Sequence, residues 1–225
     1  MLQFFKSTGD SAIESVEEML VGMLRDGHDV YTTATGALFG GGKSKATKQE
    51  VRSTDRGINE AQRDVRRELI MHAAVSGSID IPVVLSYMSV VKDAERIGDY
   101  AKNIYDLARY GADFDSAPDR DRLDGYRTAV GDLILEAAEV FASRDETRAA
   151  ELVRKADGFL DEHDAQVKAA FHRDGEVTDA VARALYFRFL KRITAHIMNL
   201  LTALVMPVDQ LDYYDEVKED RRDAS

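Results

Sequence analysis

A chain of 225 residues with 44% hydrophobic residues, 32% charged residues and only three prolines can bury a sizeable core and has a helical, soluble composition. It contains no cysteine, which excludes disulfides and thiolate metal sites and leaves carboxylate, amide, imidazole and water as the ligands open to a metal ion. A net charge of −11 argues against a general nucleic-acid binder, whose surface must be basic. The segment Met1 to Lys6 is too short for a signal peptide, and no stretch approaches the roughly 20 apolar residues of a membrane span. A cytoplasmic protein with no direct membrane span is therefore expected.

Asp10 to about Thr33 reads as a first helix, capped by Asp10 or Ser11, with Ile13, Val16, Met19/Leu20 and Met23/Leu24 at helical spacing. The glycine-rich run from Gly36 to Ser44 breaks it. A phosphate loop would need glycine six places before Lys43, where Ala37 stands, and a strand before it, which is missing. A flexible helix–helix loop with a basic tip (Lys43, Lys45, Lys48) is the better reading. A second helix, about Thr47 to Val75, has Ile58, Gln62, Val65 and Leu69 inward, Asp55, Asn59 and Arg66 beside that stripe, and Arg56, Arg63 and Arg67 on its flanks.

Ser76 to Ser78 is a turn, and Pro82 fits the first turn of a third helix running from Ile81 to Tyr110. This helix is apolar on two sides, with Val84, Met88 and Val91 on one and Val90, Ile97 and Ile104 on the other, so neighbours are expected on both. The polar stretch Gly111 to Asp119 is the best internal boundary. Beyond it a fourth helix spans Arg120 to Ser143, with Leu133, Ile134, Ala137, Val140 and Phe141 inward. A fifth follows the Arg144–Asp145 turn to about His172, with Leu160, Val167 and Phe171 inward. A sixth, Thr178 to Val205, is strongly apolar at Leu185, Phe189, Ile193, Ile197, Leu200, Leu201 and Leu204, and ends before Pro207. That apolar content suits a filled core and equally a homodimer. The acidic tail from Asp209 carries Tyr213 and Tyr214 and is either disordered or docked on a partner.

Folded on the connector, the two halves match. Asp55, Asn59 and Glu60 answer Asp157, Asp161 and Glu162, and Val65 and Arg66 answer Val167 and Lys168. The stretch Glu95 to Ile104 answers Lys191 to Leu200: Arg-Ile and Asn are kept, whereas Glu95 and Asp99 are replaced by Lys191 and Ala195. The period of about a hundred residues indicates a duplicated three-helix unit rather than a short solenoid. The expected domains are residues 10–110, residues 118–206 and an acidic tail over 207–225, with the two units packed as one elongated antiparallel all-α bundle.

Glu95, Asp99 and Asn103, spaced by four, climb one face of the third helix, and Asp55 and Asn59 are placed to face them from the second. Five oxygen-bearing side chains converging from two helices could hold a hard cation. The competing reading is a solvated acidic face neutralised by Lys92, Lys102 and Arg109, or a set of buried hydrogen bonds. In the second half Lys191 is expected to replace the metal by pairing with Asp157 and Asp161, leaving His196 and Asn199 to support at most a weaker ion.

The Glu-Arg-Ile-Gly-Asp-x-Ala-x-Asn signature at Glu95 to Asn103, the acidic pairs at Asp55 and Asp157, and the duplicated unit resemble the PhoU family of phosphate-signalling proteins. The likeness runs from about Asp10 to Val205. It implies an all-α bundle of two three-helix repeats, PhoU-like and of the spectrin-repeat kind, with surface metal clusters. The ligand set it implies is Asp55, Asn59, Glu95, Asp99 and Asn103, then Asp157 and Asp161; the metal is Fe, Zn, Mn, Mg or Ni. It further implies a negative regulator of phosphate uptake, acting between a phosphate ABC transporter and a phosphate-sensing kinase. A related group with the same fold serves a different phosphate permease. A di-iron oxidase or storage bundle would need Glu-x-x-His pairs, and none of the five histidines stands three after a glutamate. No nucleophile–base pair is evident either, so a non-enzymatic adaptor is expected.

Overall fold

The structure is a computed structural model that describes residues 10–76 and 80–211. Six α-helices, and no strand, occur among the described residues: α1 (Asp10–Gly36), α2 (Lys45–Ser76), α3 (Ile81–Arg109), α4 (Arg120–Ser143), α5 (Glu146–Ala170) and α6 (Val177–Val205). A 3₁₀ turn, Val208–Gln210, follows. The opening segment, the turn expected between Ser76 and Ser78, and the tail beyond Leu211 fall outside the described residues. None of the described helices is long and apolar enough to cross a membrane.

The helices pack as two trios. α1, α2 and α3 all touch one another, as do α4, α5 and α6, and the trios join through α3 against α6 and α1 against α4. Each joining contact pairs a helix with its own counterpart, the arrangement that two copies related by a two-fold axis would make. One continuous core runs through both trios, from Leu20, Leu24 and Ile97 on one side to Ile134, Ile193 and Leu200 on the other. Truncating a residue such as Ile97, which is fully buried, would remove about 2–5 kcal/mol.

The glycine run is a turn that closes α1. The helix extends to Gly36, beyond the expected Thr33, and the Gly41 amide donates back to the Gly36 carbonyl at 2.8 Å. A Cβ at Gly41 would lie 2.7 Å from that carbonyl oxygen, so only glycine fits. The connector after α3 is more than a polar boundary: Phe114 is buried, its amide donates to the Leu38 carbonyl at 2.8 Å, and the Arg183 guanidinium lies 5.5 Å from its ring centroid. Arg183, itself buried, binds both carboxylate oxygens of Asp119 at 2.8 and 3.0 Å. Burial pushes the Asp119 carboxyl up, but the Arg183 hydrogen bonds and charge outweigh it and hold its pKa below the ordinary range.

Two inward assignments are corrected. Phe171 is 81% exposed because α5 stops at Ala170 and the chain turns away. Leu185 is 39% exposed on the open side of α6. Of the remaining apolar stripe of α6, Ile193, Ile197, Leu200, Leu201 and Leu204 are buried in this chain's own core, and Phe189 is half-buried against it.

Candidate functional site

α2 and α3 approach closely where Gly98 stands. A Cβ there would lie 3.0 Å from Ile58 Cδ1 and 3.6 Å from Asp55 Oδ1, so the missing side chain lets the acid of α2 settle against α3. Ile58, Ile97, Ala94 and Ala101 seal the inner side of this seam. On its outer side lie Asp55 from α2 and Glu95 and Asp99 from α3, as the repeat pattern anticipated.

The cation they share is Lys102. Its Nζ donates to Asp55 Oδ2 and to Asp99 Oδ1, each at 2.9 Å, bridging the two helices. Arg96 lies 3.5 Å from Asp99 Oδ2 and 3.7 Å from Glu95 Oε2. Burial disfavours the charge on Lys102, yet its hydrogen bonds to Asp55 and Asp99 prevail and raise its pKa. Glu95 is left with less compensation. Burial, then the charge of Asp99 and more weakly that of Asp55, raise its pKa against the opposing pull of Arg96 and Lys102. Asn59 uses its amide Nδ2 on the Asp55 carbonyl at 2.8 Å, and Asn103 is half-buried one turn beyond Asp99.

Among the described residues, no three His, Asp or Glu side chains stand in an arrangement ready to hold a metal ion. The chemistry of the donor set nonetheless suits one. Two carboxylates already converge on a single positive group, and a third is held partly out of water beside them. A hard cation would take the place of the Lys102 ammonium, whose flexible stem can swing outward.

In the second trio Asp157 is half-buried and Asp161 exposed on α5. Lys191 donates to Asp164 at 2.6 Å, a partner that the repeat did not single out. His163 was also missed as a distinctive group. It is 1% exposed, its rings of contact are Tyr126, Phe159 and Phe187, and its Nδ1 has no hydrogen-bond partner among the described residues. Burial, and then the Lys191 charge, lower its pKa to about 4.

His196 and Asn199 turn toward α3. Asp93 Oδ1 receives His196 Nδ1 at 2.6 Å and Asn199 Nδ2 at 3.1 Å. Arg192 Nη2 sits 3.3 Å from His196 Nε2, and because arginine only donates, that nitrogen accepts and the ring proton lies on Nδ1. Tyr100 stacks on His196 at 5.6 Å and accepts from Arg192 Nε at 3.1 Å. Tyr100 and His196 hold the same place in the two repeats, so the stack marks the internal two-fold. Nothing in either half alone pointed to this network, because it exists only once α3 meets α6.

Residues 14–108, which are α1 to α3 almost entire, match the family model of the PhoU domain. The first trio carries a PhoU domain. The phosphate-specific transport system accessory protein PhoU homolog of Synechocystis is 24% identical over 201 residues, covering 87% of this chain and 88% of that protein. The phosphate transport system regulatory protein PhoU from Streptococcus pneumoniae superposes with a TM-score of 0.76 at 18% identity, over 88% of this chain and 95% of that one. PhoU from Pseudomonas aeruginosa gives a TM-score of 0.74 at 21% identity, over 88% and 97% respectively. The structural likeness thus takes in the second trio, which lies outside the family-model match, and shows that the PhoU bundle is shared across both.

Proposed function

We propose that this chain is a regulatory accessory protein of phosphate transport that acts without turnover, as a negative regulator of phosphate uptake and signalling. The observation that carries the reading is the alignment, across nearly all of both chains, with a relative named as a phosphate-specific transport system accessory protein. On this reading it works on the cytoplasmic side of the membrane, docking on phosphate ABC-transporter subunits, a phosphate-sensing kinase, or both. Asp55, Glu95 and Asp99 hold a metal ion in the first trio, with Asn59 and Asn103 at the rim. The ion would neutralise the three carboxylates and tie α2 to α3 more firmly than Lys102 does, which makes the outer face of that hairpin responsive to ion supply. Asp157 and Asp161 occupy the corresponding place in the second trio, where the Lys191 charge stands in for the ion. The test is deletion of the gene in its host with a phosphate-starvation reporter in phosphate-replete medium. Derepression, reversed by the wild-type gene, supports the reading; an unchanged reporter together with unchanged phosphate uptake contradicts it.

A further inference from the structure

The outer face of α2 does not follow the charge of the rest of the molecule. Lys45, Lys48, Arg52, Arg56, Arg63 and Arg66 fall within an arc of about 80° on a helical projection, and no Asp or Glu shares that arc. Arg67, at its edge, pairs with Asp64 at 2.6 Å. Arg52, Arg56, Arg63 and Arg66 are exposed and form no ion pair with another residue among the described residues. A stripe of unneutralised cations about 30 Å long thus crosses a chain whose net charge is −11.

Helix solubility does not require it. On α5, the counterpart of α2, the same six places hold Thr147, Ala150, Arg154, Gly158, Ala165 and Lys168, only two of them basic. The stripe belongs to one trio only. It also leads into an apolar tip. Ile70, Met71 and Val75 at the end of α2 are 62%, 59% and 87% exposed, and Leu85 is 52% exposed just across the hairpin on α3. The hydrogen bond between His72 and Asp80, at 3.0 Å, holds the two sides of that tip together.

We propose that this face of α2 lies against a membrane surface rich in anionic phospholipid, with the arginines on the headgroups and Ile70, which falls in the same arc, entering the headgroup boundary, while Met71 and Val75 follow at the helix end, turned about 60–100° from the arc. An unpaired basic row beside an exposed apolar cluster is the combination that interfacial helices use, with charge supplying attraction and apolar side chains supplying depth. An acidic protein or a nucleic acid would match the row, but either gives no role to the apolar end. The inference stands apart from the accessory reading and from the metal site, since it uses neither.

The test is co-sedimentation of the full chain with vesicles of phosphatidylcholine alone or mixed with phosphatidylglycerol. Retention should require phosphatidylglycerol and weaken as salt rises from about 0.1 to about 0.5 M. The quadruple variant Arg52→Gln, Arg56→Gln, Arg63→Gln, Arg66→Gln should lose at least about tenfold in retention while keeping its helical circular dichroism and melting temperature. Ile70→Ser with Met71→Ser should lose retention by a smaller factor. Absence of retention on the mixed vesicles, equal retention on pure phosphatidylcholine, unchanged retention by the folded quadruple variant, or retention on duplex DNA in place of vesicles would each overturn the proposal.

Discussion

The two trios share a backbone plan and differ in how they deal with the acids on their outer seam. In the first, Asp55, Glu95 and Asp99 meet where Gly98 allows the helices together, and one flexible lysine, Lys102, bridges two of them. In the second, Thr194 stands where Gly98 was and is fully buried, Ala195 replaces Asp99, and the cation is Lys191, placed on the helix itself and paired with Asp164. The two trios thus match at apolar positions and differ in the polar seam. In the first seam the lysine answers two carboxylates with a third beside them; in the second the lysine answers Asp164.

The largest expected effect falls on the second seam. His163 is buried where the first trio has only Ala61, and its pKa is depressed to about 4. A base depressed in the folded state contributes stability that is present above its unfolded pKa of about 6.5 and lost as pH falls through the folded value. Stability should therefore drop by up to about 3 kcal/mol between pH 6.5 and 4. Urea melts of His163→Leu should lack that component, whereas an identical acid profile in the variant would remove His163 from the account. Next comes Gly98→Thr, which copies the second trio into the first. The added side chain meets Ile58 Cδ1, and overpacking of this kind should destabilise by about 2 kcal/mol and spread α2 from α3. A thermal melt equal to wild type would show that the seam does not depend on close approach.

Smaller effects sharpen the electrostatic side. Glu95 has a raised pKa, so its stabilising contribution is present below its unfolded pKa and lost as pH rises through the folded one. Glu95→Gln should accordingly raise stability at pH 7 by a few tenths of a kcal/mol, the effect being reduced by solvent screening, and it should leave acid stability unchanged. Lys102→Met leaves the three carboxylates without their bridge, so added divalent cation should raise its melting temperature more than it raises that of wild type. An equal response would mean that Lys102 and a metal do not compete for one place.

The helices were legible because apolar residues recur at helical spacing, and α2 to α6 begin and end within about two residues of the expected positions. α1 ran further because Gly40 to Gly42 build a turn that lets the helix reach Gly36, which a reading of glycine as a breaker does not capture. The meeting of Asp55 with Glu95 and Asp99 was legible from their repeated four-residue spacing, and Lys102 from its position as a neutralising neighbour. Arg109 pairs with Asp106 at 2.7 Å, away from that seam. What stayed hidden depended on distance along the chain. The Asp93–His196 and Arg183–Asp119 contacts join residues that no periodicity relates, and the register of α5 against α6 brings Lys191 to Asp164.

Elemental analysis of the purified protein after equilibration with a divalent metal tests the difference between the seams most directly. The account predicts loading in the first trio only, abolished by Glu95→Ala with Asp99→Ala in a protein that remains folded, little altered by Asp157→Ala with Asp161→Ala, and increased by Lys191→Glu. Equal loading of both trios, or full loading of the Glu95/Asp99 double variant, would contradict it.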